Sequence, residues 1–140
     1  MRPDALTVVY ALDDRLIEQL HKLYQAEWWT SGRSLEDTRQ CIRGSQVCVG
    51  LVDSAGNLLA FARVITDFTF KAIIFDVMVS SAARKGGLGS RIMEAITRHE
   101  RLRHIKHIEL YCLPELFAFY KRNGFSENVG GLQLMRLVTG

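Results

Sequence analysis

The stretch from Ala72 to Ile96 constrains this chain more than any other. The run Ala72-Ile73-Ile74-Phe75-Asp76-Val77-Met78-Val79 is apolar at every position but one. Such a run, bounded by turn residues, reads as a central strand covered on both faces. The turn Arg84-Lys85-Gly86-Gly87-Leu88-Gly89-Ser90 follows it. Behind the turn, Leu88, Ile92, Ala95 and Ile96 fall on one face of a helical period, with His99 at its end. A helix N-terminus carries unsatisfied N–H groups and a partial positive charge. Glycines let that backbone approach an anion closely, and Arg84 and Lys85 add fixed charge. The assembly has the parts of a pyrophosphate cradle. Taken alone, it is equally a tight strand-to-helix connection without a ligand. The P-loop pattern GxxxxGK[ST] is absent, and Gly87-Leu88-Gly89 lacks the third glycine of a dinucleotide fingerprint.

The rest of the chain reads as alternating short elements. Thr7–Ala11 suits a first strand. Asp13 suits the cap of a helix with Leu16, Ile17, Leu20, Leu23 and Tyr24 on one face. Ser34-Leu35-Glu36-Asp37 has the form of a capping box, opening a second helix that Gly44 ends. Gln46–Val52 and Leu58–Ile65 flank the turn Asp53-Ser54-Ala55-Gly56-Asn57 as a hairpin. After the glycine turn and its helix, Ile108–Cys112 suits a strand. Pro114 opens a last helix that Gly124 stops, and Leu132–Val138 suits a final strand. The order is β-α-α-β-β-β-α-β-α-β. Its first half is antiparallel in character, and its second half holds a strand–helix–strand crossover of the parallel, right-handed kind. An α/β fold with one mixed sheet between helices is expected.

The chain has 140 residues, enough for one domain over 1–140 with one core. Hydrophobic residues make up 48% and charged residues 24%, which excludes a disordered class. No apolar run is long enough to span a bilayer, so no membrane partner is expected. Met1-Arg2-Pro3-Asp4 opens no apolar leader, and the cytoplasm is the expected compartment. Cys41, Cys48 and Cys112 form neither a CxxC pair nor an even set, so no metal is expected. A net charge of +3 is too small to imply a polyanionic partner. The segment Arg98–His107 is basic and holds three histidines, but no aromatic residues interleave with them. It reads as a solvated helix end, and no nucleic acid is expected.

Two patterns together resemble a known family. Val77-Met78-Val79-Ser80-Ser81-Ala82-Ala83-Arg84-Lys85-Gly86-Gly87-Leu88-Gly89 resembles the acyl-CoA motif of the GNAT superfamily of N-acetyltransferases, which ends in [Q/R]-x-x-G-x-[G/A]. Phe119-Tyr120-Lys121-Arg122-Asn123-Gly124-Phe125 resembles that family's F-Y-x-x-x-G-F segment, one helix and one strand further on. Ser81 stands where the family often has Pro, and Leu113 where it often has Asn. The resemblance covers the chain from about Gln46 to Phe125.

The resemblance implies acetyl-CoA as cosubstrate. It implies that Arg84, Lys85, Gly86, Gly87, Leu88, Gly89 and Ser90 hold the pyrophosphate, and that Val77, Met78 and Val79 pair with the pantetheine arm. The Met78 or Val79 amide would polarise the thioester carbonyl. Tyr120 takes the place of the residue that protonates the departing thiolate, a role suited to a phenol protonated at neutral pH. The reaction so implied is direct acetyl transfer in a ternary complex to a primary amine, on a small molecule or a peptide. The alternative is a non-catalytic acyl-CoA-binding or interaction module.

Three further features bear on the acceptor. Asp76 is a carboxylate in an apolar strand and needs a partner or a shifted pKa. It is either the base for the amine proton, acting through water, or a structural group. Trp28-Trp29-Thr30-Ser31-Gly32-Arg33 lies in the region where the family builds its acceptor pocket. Two adjacent tryptophans are costly to expose, so at least one is expected to be buried or to line a pocket. Arg63 is a further candidate for substrate contact, and a homodimer stays open.

Overall fold

The computed structural model describes residues 5–140. The opening Met1-Arg2-Pro3-Asp4, read above for a leader, lies outside them. The chain forms two compact units, residues 1–109 and 110–140.

In the first unit the elements run β1 (Thr7–Val9), α1 (Asp14–Gln25), α2 (Leu35–Arg43), β2 (Val47–Val52), β3 (Leu58–Thr66), β4 (Lys71–Val79), α3 (Leu88–Thr97) and β5 (His107–Glu109). The five strands make one sheet in the order β1-β2-β3-β4-β5. β1 to β4 pair antiparallel, and β4 pairs parallel with β5 across the α3 crossover. Local chemistry explains the helix starts. The Asp13 carboxylate accepts from the Leu16 amide at 2.9 Å. Ser34 and Asp37 close a reciprocal box, with 2.9 and 3.0 Å between side chains and backbone amides.

The sheet is covered on both faces, which is why β2 and β3 are apolar almost throughout. Leu20 and Tyr24 of α1 pack with Cys48, Leu58, Phe61 and Met78, and Cys41 and Ile42 of α2 lie against the same cluster. The alternate residues Val47, Val49 and Leu51, opposite Val64, Ala62 and Ala60, turn to the other face. There α3 packs over β2, β3 and β4 with Leu88, Ile92, Met93 and Ile96 buried.

Two irregularities in β4 matter for the site. Phe61 stands opposite Met78, but Arg63 stands opposite Phe75, so Ala62 alone faces both Asp76 and Val77. This is a bulge, and Asp76 sits in it with φ +57°, a left-handed conformation that Asp tolerates better than most residues. The pairing of β4 with β5 stops at Ile73 opposite Glu109, while β4 continues to Val79.

In the second unit, Pro114–Leu116 forms one tight turn that leads into α4 (Phe117–Arg122). Gly124 stops the helix with φ +92°, as expected from its place after the last periodic residue. Two expectations are corrected. The strand expected over Ile108–Cys112 is only His107–Glu109, ending where the second unit begins. The strand expected over Leu132–Val138 does not form, and its side chains are exposed. Leu132, Leu134, Met135, Leu137 and Val138 do not alternate, so they define no single face. Gly130 and Gly131 before them both take positive φ, which interrupts an extended chain. Among the described residues no helix is long and apolar enough to cross a membrane.

Candidate active site

The strand, turn and helix read from the sequence fold as a continuous unit. β4 ends at Val79, Ser81–Ala83 makes one tight turn, and Gly87 caps α3. Gly87 has φ +70° and no side-chain acceptor closes the helix N-terminus. Space is open where a Cβ would stand on Gly87. Gly86 folds back through its amide onto the Ala83 carbonyl at 3.3 Å. Lys85, Gly86, Gly87 and Ser90 are exposed, whereas Leu88 is buried and anchors the helix from below. An uncapped, glycine-led helix start with Arg84 and Lys85 beside it suits a diphosphate. Arg84 itself reaches elsewhere: its guanidinium pairs with Glu27 at 2.5 Å and its Nε donates to the Val79 carbonyl at 3.4 Å.

Val77, Met78 and Val79 lie on the part of β4 beyond its pairing with β5. Met78 is buried in the α1 side of the core, while Val77 and Val79 are half-buried. Backbone groups on that edge can therefore serve an extended arm of a ligand, as a strand partner would.

Asp76 is not a lone carboxylate. Arg33 grips it with both terminal nitrogens, at 2.7 and 3.2 Å. Arg63 Nε donates to it at 2.7 Å and the Tyr24 hydroxyl at 2.9 Å. The bulge explains how one strand residue reaches all three, since the extra residue turns Asp76 toward α1. Burial pushes the Asp76 carboxyl up, but the hydrogen bonds and charges of Arg33 and Arg63 overcome it and hold the group below the usual carboxylate range. Burial and the Asp76 charge push the Tyr24 hydroxyl far up, so it stays a donor. Arg33 also lies over the Tyr24 ring at 4.5 Å, and Arg63 over Phe75 at 5.0 Å.

Tyr24 and Arg33 were not singled out as site residues from the sequence. Arg33 is 43 positions from Asp76 and Tyr24 is 52, and no local pattern links such pairs. The polar Asp in an apolar strand was the one signal that a partner had to exist.

Of the two alternatives for the tryptophans, burial is the one that does not hold. Neither is buried: Trp28 is 81% exposed and Trp29 45%. The loop is held by its small polar residue instead, since buried Thr30 donates its hydroxyl to the Tyr24 carbonyl at 2.7 Å. That bond fixes the backbone and leaves both indoles facing outward.

Tyr120 lies on α4, edge-on to Phe119 at 4.9 Å and to Phe125 at 6.0 Å between ring centres. Burial, with the charge of Cys112, pushes its hydroxyl up to about 12. It is a proton donor throughout the neutral range. Burial also pushes the Cys112 thiol up, which makes it a poor nucleophile. The basic residues after α3 are mostly exposed, as a solvated helix end would be, and several make local contacts. Arg98 pairs with Glu94, Arg101 lies over Phe68 at 3.6 Å, and His99 lies edge-on to Tyr10. Among the described residues no cluster of His, Cys, Asp and Glu is arranged to hold a metal.

Known proteins carry the same fold and sequence pattern. A sequence model of the acetyltransferase (GNAT) domain matches residues 43–127. Uncharacterized N-acetyltransferase ycf52 of Porphyra purpurea is 28% identical over 120 residues, covering 84% of this chain and 68% of that protein. Serotonin N-acetyltransferase 2, chloroplastic, of Oryza sativa is 36% identical over 98 residues, which is 67% of this chain and 48% of that one. The chain thus spans about half the length of the rice relative. A GNAT-family protein of Xanthomonas campestris superposes with a TM-score of 0.80 at 28% identity, over 96% of this chain and 93% of the other. The matched region includes both the uncapped glycine turn and the Tyr120 segment, and the chain belongs to the GNAT family of acetyltransferases.

Proposed function

We propose that residues 1–140 act as one domain that moves an acetyl group from acetyl-CoA to a primary amine, on a small molecule or a peptide, by direct transfer in a ternary complex. One observation carries this reading. β4 loses its parallel neighbour at Ile73 and then leads, through the tight turn at Ser81–Ala83, to an uncapped helix start at Gly87. A strand edge followed by an anion-binding helix end matches a ligand that is an extended amide chain ending in a diphosphate.

In this reading Gly86, Gly87, Leu88, Gly89 and Ser90 offer backbone amides to the diphosphate, with Arg84 and Lys85 supplying charge. Val77, Met78 and Val79 align the pantetheine. The Met78 or Val79 N–H donates to the thioester oxygen as negative charge develops there. The amine nitrogen forms its bond to the acetyl carbon, the carbon–sulfur bond breaks, and Tyr120 gives its proton to the leaving sulfur. A phenol held protonated supports that assignment.

Asp76 is better suited to positioning than to proton removal. Its oxygens already accept from two arginines and a tyrosine, and its low pKa makes it a weak base. The amine proton leaves to solvent in this scheme, and Asp76 fixes Arg33 and Arg63 beside the reacting strand. Trp28 and Trp29 are proposed as exposed walls for the acceptor, and Arg63 as a contact. A cytoplasmic location stays part of the proposal, although three relatives have chloroplastic in their names.

The test is thiol release from acetyl-CoA with a library of amines. Release with some amine, abolished in Tyr120→Phe, supports the scheme. Tight acetyl-CoA binding with no amine or peptide ever acetylated returns the non-catalytic binding module.

A further inference from the structure

Arg33, Arg63 and Asp76 do not balance. Two guanidinium groups surround one carboxylate, which leaves one positive charge in excess. The side chains are 30%, 13% and 4% exposed, so that charge is only partly hydrated. Charge held away from water is normally matched by a counter-charge. Asp37 is the other carboxylate whose field reaches Arg33, and it is engaged with the Ser34 amide in the capping box of α2.

The donors do not balance either. Arg33 commits Nη1 and Nη2 to Asp76, which leaves Nε without a protein acceptor among the described residues. Arg63 commits Nε to Asp76 and Nη1 to Ser45 Oγ at 3.4 Å, which leaves Nη2. No buried side-chain nitrogen or oxygen among the described residues lacks a partner, so these spare donors open onto accessible space. Asp76 holds both guanidinium groups beforehand, Arg33 over the Tyr24 ring and Arg63 over Phe75, and a fixed guanidinium loses little freedom when it binds an oxyanion.

The location gives the imbalance a use. Asp76 directly precedes Val77–Val79, the stretch of β4 proposed to align the acetyl donor. Arg33 closes the loop that carries the exposed Trp28 and Trp29. We propose that the Arg33–Arg63–Asp76 cluster binds an oxyanion carried by the acceptor, so that the preferred acceptor is a primary amine bearing a carboxylate or a phosphate. This rests on the acetyl-transfer reading above. Charge-assisted pairing to two arginines selects such a molecule, and the same excess charge repels polyamines.

Matched acceptors test it. Wild-type protein is assayed with acetyl-CoA and β-alanine against n-propylamine, then O-phosphoethanolamine against ethanolamine. The two pairs separate a carboxylate from a phosphate preference. In at least one pair the anionic member is expected to have a kcat/KM higher by about tenfold or more. Arg33→Gln is expected to lower that value about ten- to hundredfold, mainly through KM, and to lower the value for the uncharged member by a clearly smaller factor. Arg33→Lys, which keeps the charge and loses the fork, falls between them. Equal or better turnover of both uncharged amines overturns the proposal. So does an Arg33→Gln variant that is folded by circular dichroism and impaired equally on both members, as a purely structural clasp would be.

A second measurement separates this proposal from the transfer reading. Acetate and inorganic phosphate are titrated into the acetyl-CoA-loaded protein, with the arginine Nε–H signals followed by NMR. If no amine is ever acetylated, the transfer reading falls and this titration decides the cluster alone. Saturable binding that Arg33→Gln abolishes supports an oxyanion site, and an unresponsive Arg63 signal overturns it.

Discussion

Arg33 and Asp76 meet as a two-pronged ion pair at 2.7 and 3.2 Å although 43 positions separate them in the chain. Arg33 ends the loop after α1, and Asp76 sits in the bulge of β4. The pair therefore ties the loop that carries both tryptophans to the strand proposed to hold the acetyl donor. Replacing Asp76 with Asn keeps the shape and the tolerance for φ +57° but leaves two arginines without their carboxylate. A loss of about 2–3 kcal/mol is expected in urea unfolding, below the full cost of a broken buried pair because Arg33 is partly solvated. Asp76→Ala is expected to lose about 1 kcal/mol more, since it adds left-handed strain with no compensating bond.

The same pair gives the stability a pH dependence. Asp76 titrates below its ordinary value of 3.8 when folded. Its stabilisation is therefore fully present above the ordinary carboxylate range and lost as pH falls through the depressed folded value. The difference in urea midpoint between wild type and Asp76→Asn should be constant at neutral pH and shrink below about pH 4. A difference that persists unchanged into acid would mean that the carboxylate charge is not what holds Arg33 and Arg63.

Tyr120 is expected to matter for kcat rather than for binding. Loss of a general acid typically costs about a hundredfold or more, so Tyr120→Phe should lower kcat by that order and leave the acetyl-CoA KM within about threefold. Its hydroxyl is pushed up to about 12 by burial and the Cys112 charge. The wild-type rate should show no descending limb from this group below about pH 10.

The two glycines of the turn should respond differently. Gly87 takes φ +70° with open space around it, so Gly87→Ala adds backbone strain of about 1–2 kcal/mol without a clash. Thermal midpoint and acetyl-CoA affinity should both fall. Gly86 is not in the left-handed region, and an added Cβ there meets the Ala83 carbonyl at an ordinary 3.6 Å. Gly86→Ala should leave the thermal midpoint nearly unchanged.

Arg84 has to choose between Glu27 and a diphosphate. The pair at 2.5 Å joins two partly exposed side chains, a kind of contact worth about 0–1 kcal/mol. Glu27→Gln should therefore tighten acetyl-CoA binding by about two- to fivefold at low salt. The gain should fade as salt screens the diphosphate–arginine attraction. Calorimetric titration at two ionic strengths checks both statements.

Local chemistry made most of the fold legible. Asp13, Ser34 with Asp37, Gly44 and Gly124 each mark a helix end through bonds or torsions that involve only near neighbours. The apolar run into Gly86-Gly87 located β4, the turn and α3 for the same reason, and with Tyr120 it carried the family. The segment Leu132–Val138 shows the limit. Its apolar content suits a strand, but a strand exists only where another backbone completes its hydrogen bonds, and composition cannot supply that neighbour.

The acceptor side was decided by tertiary structure alone. The sequence established that Asp76 needed partners, because a carboxylate in an apolar strand is otherwise too costly to bury. It did not establish that the partners are Arg33, Arg63 and Tyr24, nor that Trp28 and Trp29 face outward. Those outcomes depend on a one-residue bulge opposite Ala62 and on how α1 lies on the sheet. Both arise from packing between segments far apart in the chain, where periodicity and capping rules carry no information.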